Sequence, residues 1–249
     1  VRFDWPDWLH AALAARFPAE ELALLAESLV QSAPLDLRVN IQKIDRESAM
    51  ARLQADGLSA TACPYSPFGI RLAGKPSLAR HPLFLDGSIE VQDEGSQLLG
   101  LLVQPKRGEM VADFCAGAGG KTLLLGALMR SQGRLYAFDV SEKRLAKLKP
   151  RLARSGLSNV HPVRIESEHD TKIKRLAGKL DRVLVDAPCS GIGTLRRNPD
   201  LKWRQSEASV DELTAKQGSI LASAAGLVKP GGRLVYATCS LLEAENDAV

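Results

Sequence analysis

Apolar positions in the first thirty residues recur at helical spacing. Leu9, Leu13 and Phe17 form one stripe; Leu22, Leu25 and Leu29 form another beyond Pro18. Residues 6–30 are therefore predicted to make two helices. The period then changes. Leu35–Ile41 alternates and reads as a strand, and Asp45 is placed to cap a helix through Ala55 that Gly57 ends. Leu58–Cys63 and Phe68–Leu72 are short strand candidates. This pattern predicts a small α+β unit over residues 1–75, either a domain of its own or a decoration of a larger sheet. Lys75–Pro82, polar with two prolines, reads as a linker, and Val91–Val103 as a helix leading into the second half, residues 76–249.

From Met110 onward strands and helices alternate. The predicted strands are Met110–Phe114, Leu135–Asp139, Val160–Ile165, Arg182–Asp186 and Arg233–Thr238. Such alternation argues an α/β fold with a parallel, doubly wound sheet. Ser141 and Glu142 suit the start of the helix after the second strand. Pro150 is expected to kink or end that helix.

Two of these strands run into thiols. Asp181–Gly193 reads DRVLVDAPCSGIG, and Arg233–Ser240 reads RLVYATCS. Open α/β sheets bind ligands beyond the carboxyl ends of their strands. Neighbouring strands lie about 4.8 Å apart, so if these two are neighbours, Cys189 and Cys239 overhang one crevice. A cysteine after a strand is most often a small buried hydrophobe. That reading suits Cys63 and Cys115; Cys189 and Cys239 instead lie past their strands, and a redox pair is an alternative role for them.

Composition narrows the classes. The chain has 249 residues, 33 basic and 29 acidic, for a net charge of +4, too mild to argue for nucleic acid by itself. Its apolar stretches are far short of the roughly 20 residues of a membrane span, and no signal-peptide pattern is present. Four cysteines without zinc-type spacing predict no metal and a reducing, cytoplasmic setting. The chain is expected to act as a monomer. It opens on Val1 and ends soon after the second thiol, so flanking segments are expected to be missing.

Val111–Thr122, VADFCAGAGGKT, is a strand, a glycine-rich turn and a helix start. Glycines admit close backbone approach, and a helix N-terminus favours anionic groups. A phosphate-binding loop would have glycine where Cys115 stands; a dinucleotide fingerprint would have it where Thr122 stands. S-adenosyl-L-methionine sites tolerate both departures, and Asp139 ends the next strand where a ribose diol would be held. A plain strand–helix packing turn remains the alternative.

One reaction uses two thiols beside a methyl donor. Carbon 5 of a pyrimidine is a weak nucleophile. A thiolate adding to carbon 6 makes it enamine-like, and after methyl transfer a base removes the carbon 5 proton so that the thiolate leaves. Asp186 is placed to hydrogen-bond the ring's polar edge. Arg196, Arg197, Lys202, Trp203 and Arg204 follow the Cys189 loop, a basic run with an aromatic that suits phosphate contact and base stacking. Base chemistry needs an unpaired or flipped nucleotide, which favours single-stranded or loop RNA.

The chain resembles the Sun/Fmu-type RNA (cytosine-5) methyltransferases, relatives of the NOL and NSUN proteins. The resemblance rests on VQDEGSQ (Val91–Gln97), DFCAGAGGKT (Asp113–Thr122), DAPCSGIGTLRRNPDLKW (Asp186–Trp203) and YATCS (Tyr236–Ser240) followed by EAEN. It implies a Rossmann-like methyltransferase sheet with helices on both faces after a small α+β domain of RNA-binding type, with S-adenosyl-L-methionine as cofactor. By motif position, Cys115, Ala116, Gly117, Ala118, Gly119, Gly120 and Lys121 line the methionine end and Asp139 takes the ribose. Asp186 stands between cofactor and base, and Lys121 contacts that acid or the base. Cys239 matches the nucleophile and Cys189 the cysteine that assists release. Where the family has an acid for the adenine, Glu166 is the nearest candidate. The implied substrate is ribosomal RNA; transfer RNA, DNA cytosine and a silent RNA-binding module are the alternatives.

Overall fold

The computed structural model describes residues 4–249; residues 1–3 of the expected N-terminal domain lie outside the described residues. The chain forms two compact units. One joins Pro34–Asp186 to Ser223–Val235; the other joins the residues up to Ala33 to Ala187–Ala222 and Tyr236–Val249. This division does not fall at residue 75.

The predicted helical pair is present as α1 (Asp7–Ala14) and α2 (Ala19–Val30). Their stripe residues Leu9, Leu13, Leu22 and Leu29 are buried with Trp5, Ile192, Leu195, Val210 and Leu242. Removing such a side chain from water is worth about 1.5–3 kcal/mol.

In the larger unit, β1 (Leu35–Val39), α3 (Arg46–Ala55), β2 (Ala60–Ala62) and β3 (Gly69–Leu72) follow the predicted order. Asp45 caps α3 by accepting the Ser48 N–H at 2.8 Å. After the short α4 (Pro82–Leu85) comes a strand, β4 (Ile89–Val91), which takes in Val91, the first residue of the segment Val91–Val103 expected to be helical. Helix α5 (Glu94–Val103) starts only after Asp93, whose carboxylate accepts the Gly95 N–H. The alternation of Ile89 and Val91 suits the antiparallel partner that β1 supplies. This four-stranded sheet, in order β2-β3-β1-β4, thus takes a strand from beyond residue 75.

The second sheet contains β5 (Met110–Asp113), β6 (Arg134–Asp139), β7 (Val160–Arg164), β8 (Leu180–Asp186) and β9 (Val228–Ala237). Its order is β7-β6-β5-β8-β9, with β5 parallel to both β6 and β8. Helices α6 (Gly120–Leu128), α7 (Glu142–Ser155), the short α8 (Thr171–Lys174) and α9 (Leu201–Arg204), and α10 (Glu207–Ala225) make the connections. Helix α7 runs through Pro150 to Ser155, so the proline does not end it. Pro150 and Ala146, whose carbonyl loses its intrahelical partner, are both exposed, so water can serve that carbonyl. Strand β9 starts earlier than expected, taking in Lys229–Gly232, where Lys229 pairs with Asp181. Strand order reverses at β5, so the turn after β5 lies at the topological switch point.

Candidate active site

The glycine loop follows β5. Gly117 (φ +56°) and Gly119 (φ +82°) adopt the left-handed backbone that favours glycine. A Cβ on Gly119 would stand 2.2 Å from Leu148 Cδ1, whereas one on Gly117 would meet nothing within 4 Å. Two carboxylates shape the loop. Asp139 accepts the Gly117 N–H on Oδ2 (2.8 Å) and the Ser141 N–H on Oδ1 (2.7 Å), where Arg144 also pairs at 2.9 Å. Asp113 accepts the Thr122 hydroxyl at 2.7 Å, pinning the first turn of α6 to the end of β5.

Lys121, also in that first turn, reaches Asp186 at the end of β8, Nζ to Oδ2 2.7 Å. Of the two partners considered for Lys121, the acid is the one it meets. Burial pushes Asp113 up to about 7, with Asp186 and Asp139 adding to the rise while Thr122 and Lys121 oppose it. Burial also pushes Cys115 up to about 12, and the same three carboxylates add to it, so Cys115 is a neutral thiol. This acid-rich surround suits a cofactor with a positive sulfonium and a ribose better than the phosphates of a nucleotide. Asp139 Oδ2, with a single hydrogen bond, keeps acceptor capacity for a hydroxyl. Glu166 stands on the exposed loop after β7, paired with Arg164 at 3.3 Å.

Several residues that brace this loop escaped the sequence reading. Arg38 of β1 donates to the Gly120 carbonyl (2.6 Å) and to Gln92. Arg151 of α7 donates to the Ala118 carbonyl (2.6 Å) and pairs with Glu90 of β4, which Arg154 also grips. Arg38 and Glu90 are cross-strand partners. The alternation of Leu35–Ile41 puts Arg38 on the polar face, so nothing within the strand marked it as buried. The VQDEGSQ motif serves the same small sheet: Gln97 donates to the Leu37 and Gln92 carbonyls.

The other compact unit holds the thiols. Cys189 Sγ and Cys239 Sγ lie 3.3 Å apart, and the Cys239 N–H points to Cys189 Sγ at 3.4 Å. The juxtaposition expected from neighbouring strands is therefore present. Cys239 is exposed and Cys189 partly buried. The contact with Cys239, followed by burial, raises the Cys189 thiol well above the ordinary thiol range, so Cys189 keeps its proton. A Cβ on Gly193 would stand 2.8 Å from the Cys239 carbonyl oxygen, to which the Gly193 N–H donates, so glycine there lets the two loops touch. Gln217, buried beside these loops, escaped the sequence reading, and Glu245 and Asn246 entered it only as members of the EAEN run.

The basic run is more occupied than its composition suggests. Arg196 donates to the Gln31 and Ser32 carbonyls just after α2. Lys202 pairs with Asp4 at 3.4 Å and lies over the Trp203 ring, and Arg204 pairs with Asp200. Trp203 itself is 56% exposed. Among the described residues, Asp36, Cys63 and Glu94 could meet a metal together, but Arg71 already pairs with both carboxylates. No helix among them is long and apolar enough to cross a membrane.

Comparison with known proteins agrees with this geometry. Residues 100–249 match the family model of the 16S rRNA methyltransferase RsmB/F, and residues 5–79 match that of the RsmF/B-like methyltransferase ferredoxin-like domain. A Synechocystis protein described as "Probable ribosomal RNA small subunit methyltransferase B" is 38% identical over 250 residues, covering 99% of this chain and 55% of that protein. A solved methyltransferase homolog protein from Pyrococcus horikoshii is 33% identical with a TM-score of 0.87, covering 99% of this chain and 77% of its own. NSun6 from Pyrococcus horikoshii, solved with SFG, shares the fold with a TM-score of 0.90 at 22% identity, covering 100% of this chain and 86% of its own. The chain spans about half the length of the curated relatives it matches. The match over residues 100–249 covers more than half of the chain, and the chain belongs to the 16S rRNA methyltransferase RsmB/F family.

Proposed function

We propose that this chain methylates carbon 5 of a cytosine in RNA, ribosomal RNA by the names of its relatives, through a covalent cysteine adduct. S-adenosyl-L-methionine, when bound, supplies an electrophilic methyl group. The glycine loop and Asp139 hold it, and the acid-rich surround favours its positive charge. Residues 1–75, their sheet completed by β4, form the RNA-side module and residues 76–249 supply the catalytic one; the separate family matches over 5–79 and 100–249 support two such modules. The four cysteines are free thiols, as a reducing cytoplasm would keep them.

The observation that carries the reading is the 3.3 Å contact between Cys189 and Cys239. Cys239 attacks carbon 6 as a thiolate, forming a carbon–sulfur bond and making carbon 5 nucleophilic. Asp186, oriented by Lys121, hydrogen-bonds the ring's polar edge. Chain continuity ties it to the thiol loop, since only Ala187 and Pro188 separate it from Cys189. While Cys239 is charged, Cys189 stays protonated. Once Cys239 is a thioether that charge is gone, and Cys189 can release its proton to solvent water and then take the one on carbon 5. The double bond re-forms and Cys239 leaves as a thiolate.

Single-cysteine variants test this. Cys239→Ala should abolish methylation and give no adduct. Cys189→Ala should accumulate a protein–RNA complex that survives denaturing electrophoresis and needs S-adenosyl-L-methionine. An adduct from Cys239→Ala alone would reverse the roles; methylation intact in both would refute the mechanism.

A further inference from the structure

Glu245 lies six residues beyond Cys239, and its side chain is wholly buried. A buried carboxylate is costly unless donors satisfy it. Here the donors come from the Cys189 loop. Glu245 Oε1 accepts the Ser190 N–H at 2.7 Å and Gln217 Nε2–H at 3.0 Å, and Oε2 accepts the Ser190 hydroxyl. The same Gln217 amide donates to the Pro188 carbonyl at 2.9 Å. Pro188 and Ser190 are the two residues flanking Cys189.

Asn246 does the equivalent for the other thiol. Its Oδ1 accepts the Thr238 hydroxyl at 2.7 Å, and its Nδ2 donates to the Ser240 and Leu242 carbonyls at 3.2 and 2.8 Å. Thr238 and Ser240 flank Cys239. The two grips join where Ser190 Oγ meets Ser240 Oγ at 3.1 Å. Two consecutive residues thus hold both flanks of Cys239 and, together with Gln217, both flanks of Cys189. The Cys189 flank needs the hold most, because Gly191 beside it sits at φ +74°, a conformation that glycine leaves with little resistance.

We propose that Glu245 is a positioning residue for the thiol pair. It fixes Ser190, and through it Cys189, against Cys239 so that the two sulfurs can act in succession on one base; this rests on the reading that both thiols serve methylation. A carboxylate suits the post because one oxygen takes two N–H donors while the other takes a hydroxyl. An amide nearly reproduces this. In Glu245→Gln the carbonyl oxygen keeps the two N–H donors, and the new amide N–H turns to Ser190 Oγ, whose hydrogen swings to Ser240. Alanine provides neither.

The test uses two readouts on the folded chain. The first is methylation kinetics. Glu245→Ala should lose at least tenfold in kcat with KM for RNA changed less than twofold, and Glu245→Gln should recover most of the loss. The second needs neither RNA nor cofactor. Dibromobimane becomes fluorescent when two thiols each displace one of its bromides, so it reports whether Cys189 and Cys239 stand together; Cys239→Ala gives the background from the other cysteines. Glu245→Ala should cross-link at least fivefold more slowly, with its circular dichroism unchanged and all four thiols titratable in denaturant. An unchanged cross-linking rate would overturn the proposal. Slower cross-linking alongside normal methylation by both single-cysteine variants would uphold the positioning and sink the methylation chemistry instead. Should Glu245→Ala fail to fold, Ser190→Ala, which removes only the hydroxyl, carries the test: at least threefold slower cross-linking supports the proposal and an unchanged rate refutes it.

Discussion

Asp113 offers a sharp test of the electrostatics around the glycine loop. Its carboxyl is about 1% exposed, accepts one hydroxyl from Thr122 on Oδ2, and leaves Oδ1 without a hydrogen-bond partner. Burial pushes it from an ordinary 3.8 up to about 7. The folded chain therefore binds a proton between pH 4 and 7 that the unfolded chain has released. Stability falls with pH wherever the folded state holds more protons. The Asp113 contribution is thus intact below about pH 4, declines through the interval, and reaches its full cost above about pH 7. At about 1.4 kcal/mol per tenfold change in proton affinity, the rise amounts to about 4 kcal/mol. Asp113→Asn keeps an oxygen for the Thr122 hydroxyl but cannot ionise. Urea unfolding of both proteins from pH 4 to pH 8 should show the variant gaining on the wild type by up to about 4 kcal/mol across that range. Other carboxylates titrate in both proteins and drop out of the difference. Parallel stability curves would refute the reasoning, since they would mean that Asp113 ionises as readily folded as unfolded.

The neighbouring charges extend this test. Lys121 favours the ionised form of Asp113, so Lys121→Met should move the Asp113 midpoint upward from about 7 in the same titration. Gly119→Ala should destabilise the chain by at least about 1 kcal/mol more than Gly117→Ala. Both carry the left-handed backbone cost of about 1–2 kcal/mol, but only the first drives a methyl group into Leu148; equal unfolding midpoints would count against the packing seen there. In the basic run, Trp203→Ala should weaken RNA binding by about 1–3 kcal/mol with little change in salt dependence, because stacking releases no counterions. Arg196→Ala should instead lower thermal stability, through the carbonyls it serves after α2, and a normal melting temperature would show that this hold is idle.

Much of this protein is written in short stretches of sequence. Strand order along the chain, the glycine loop and the acid Asp139 that ends the next strand are legible because each depends on residues within a few positions, or on one strand–helix unit. The two thiols also announce themselves, since each is a cysteine just past an apolar run. Their 3.3 Å contact is different: it needs β8 and β9, some fifty residues apart in sequence, to lie side by side. The same distance hides the supports. Arg38 reaches the Gly120 carbonyl across 82 positions, and Glu245 reaches Ser190 across 55. No local pattern marks a charge as buried and satisfied, because the donors that make burial affordable come from elsewhere in the chain. Context also reverses local rules. Pro150 stays within α7 because the carbonyl it orphans faces water, and Arg196 and Lys202, read as phosphate contacts, also meet protein partners that only folding supplies. Periodicity tells which face of an element is dry, but which distant groups meet on it is decided by the packing of whole elements.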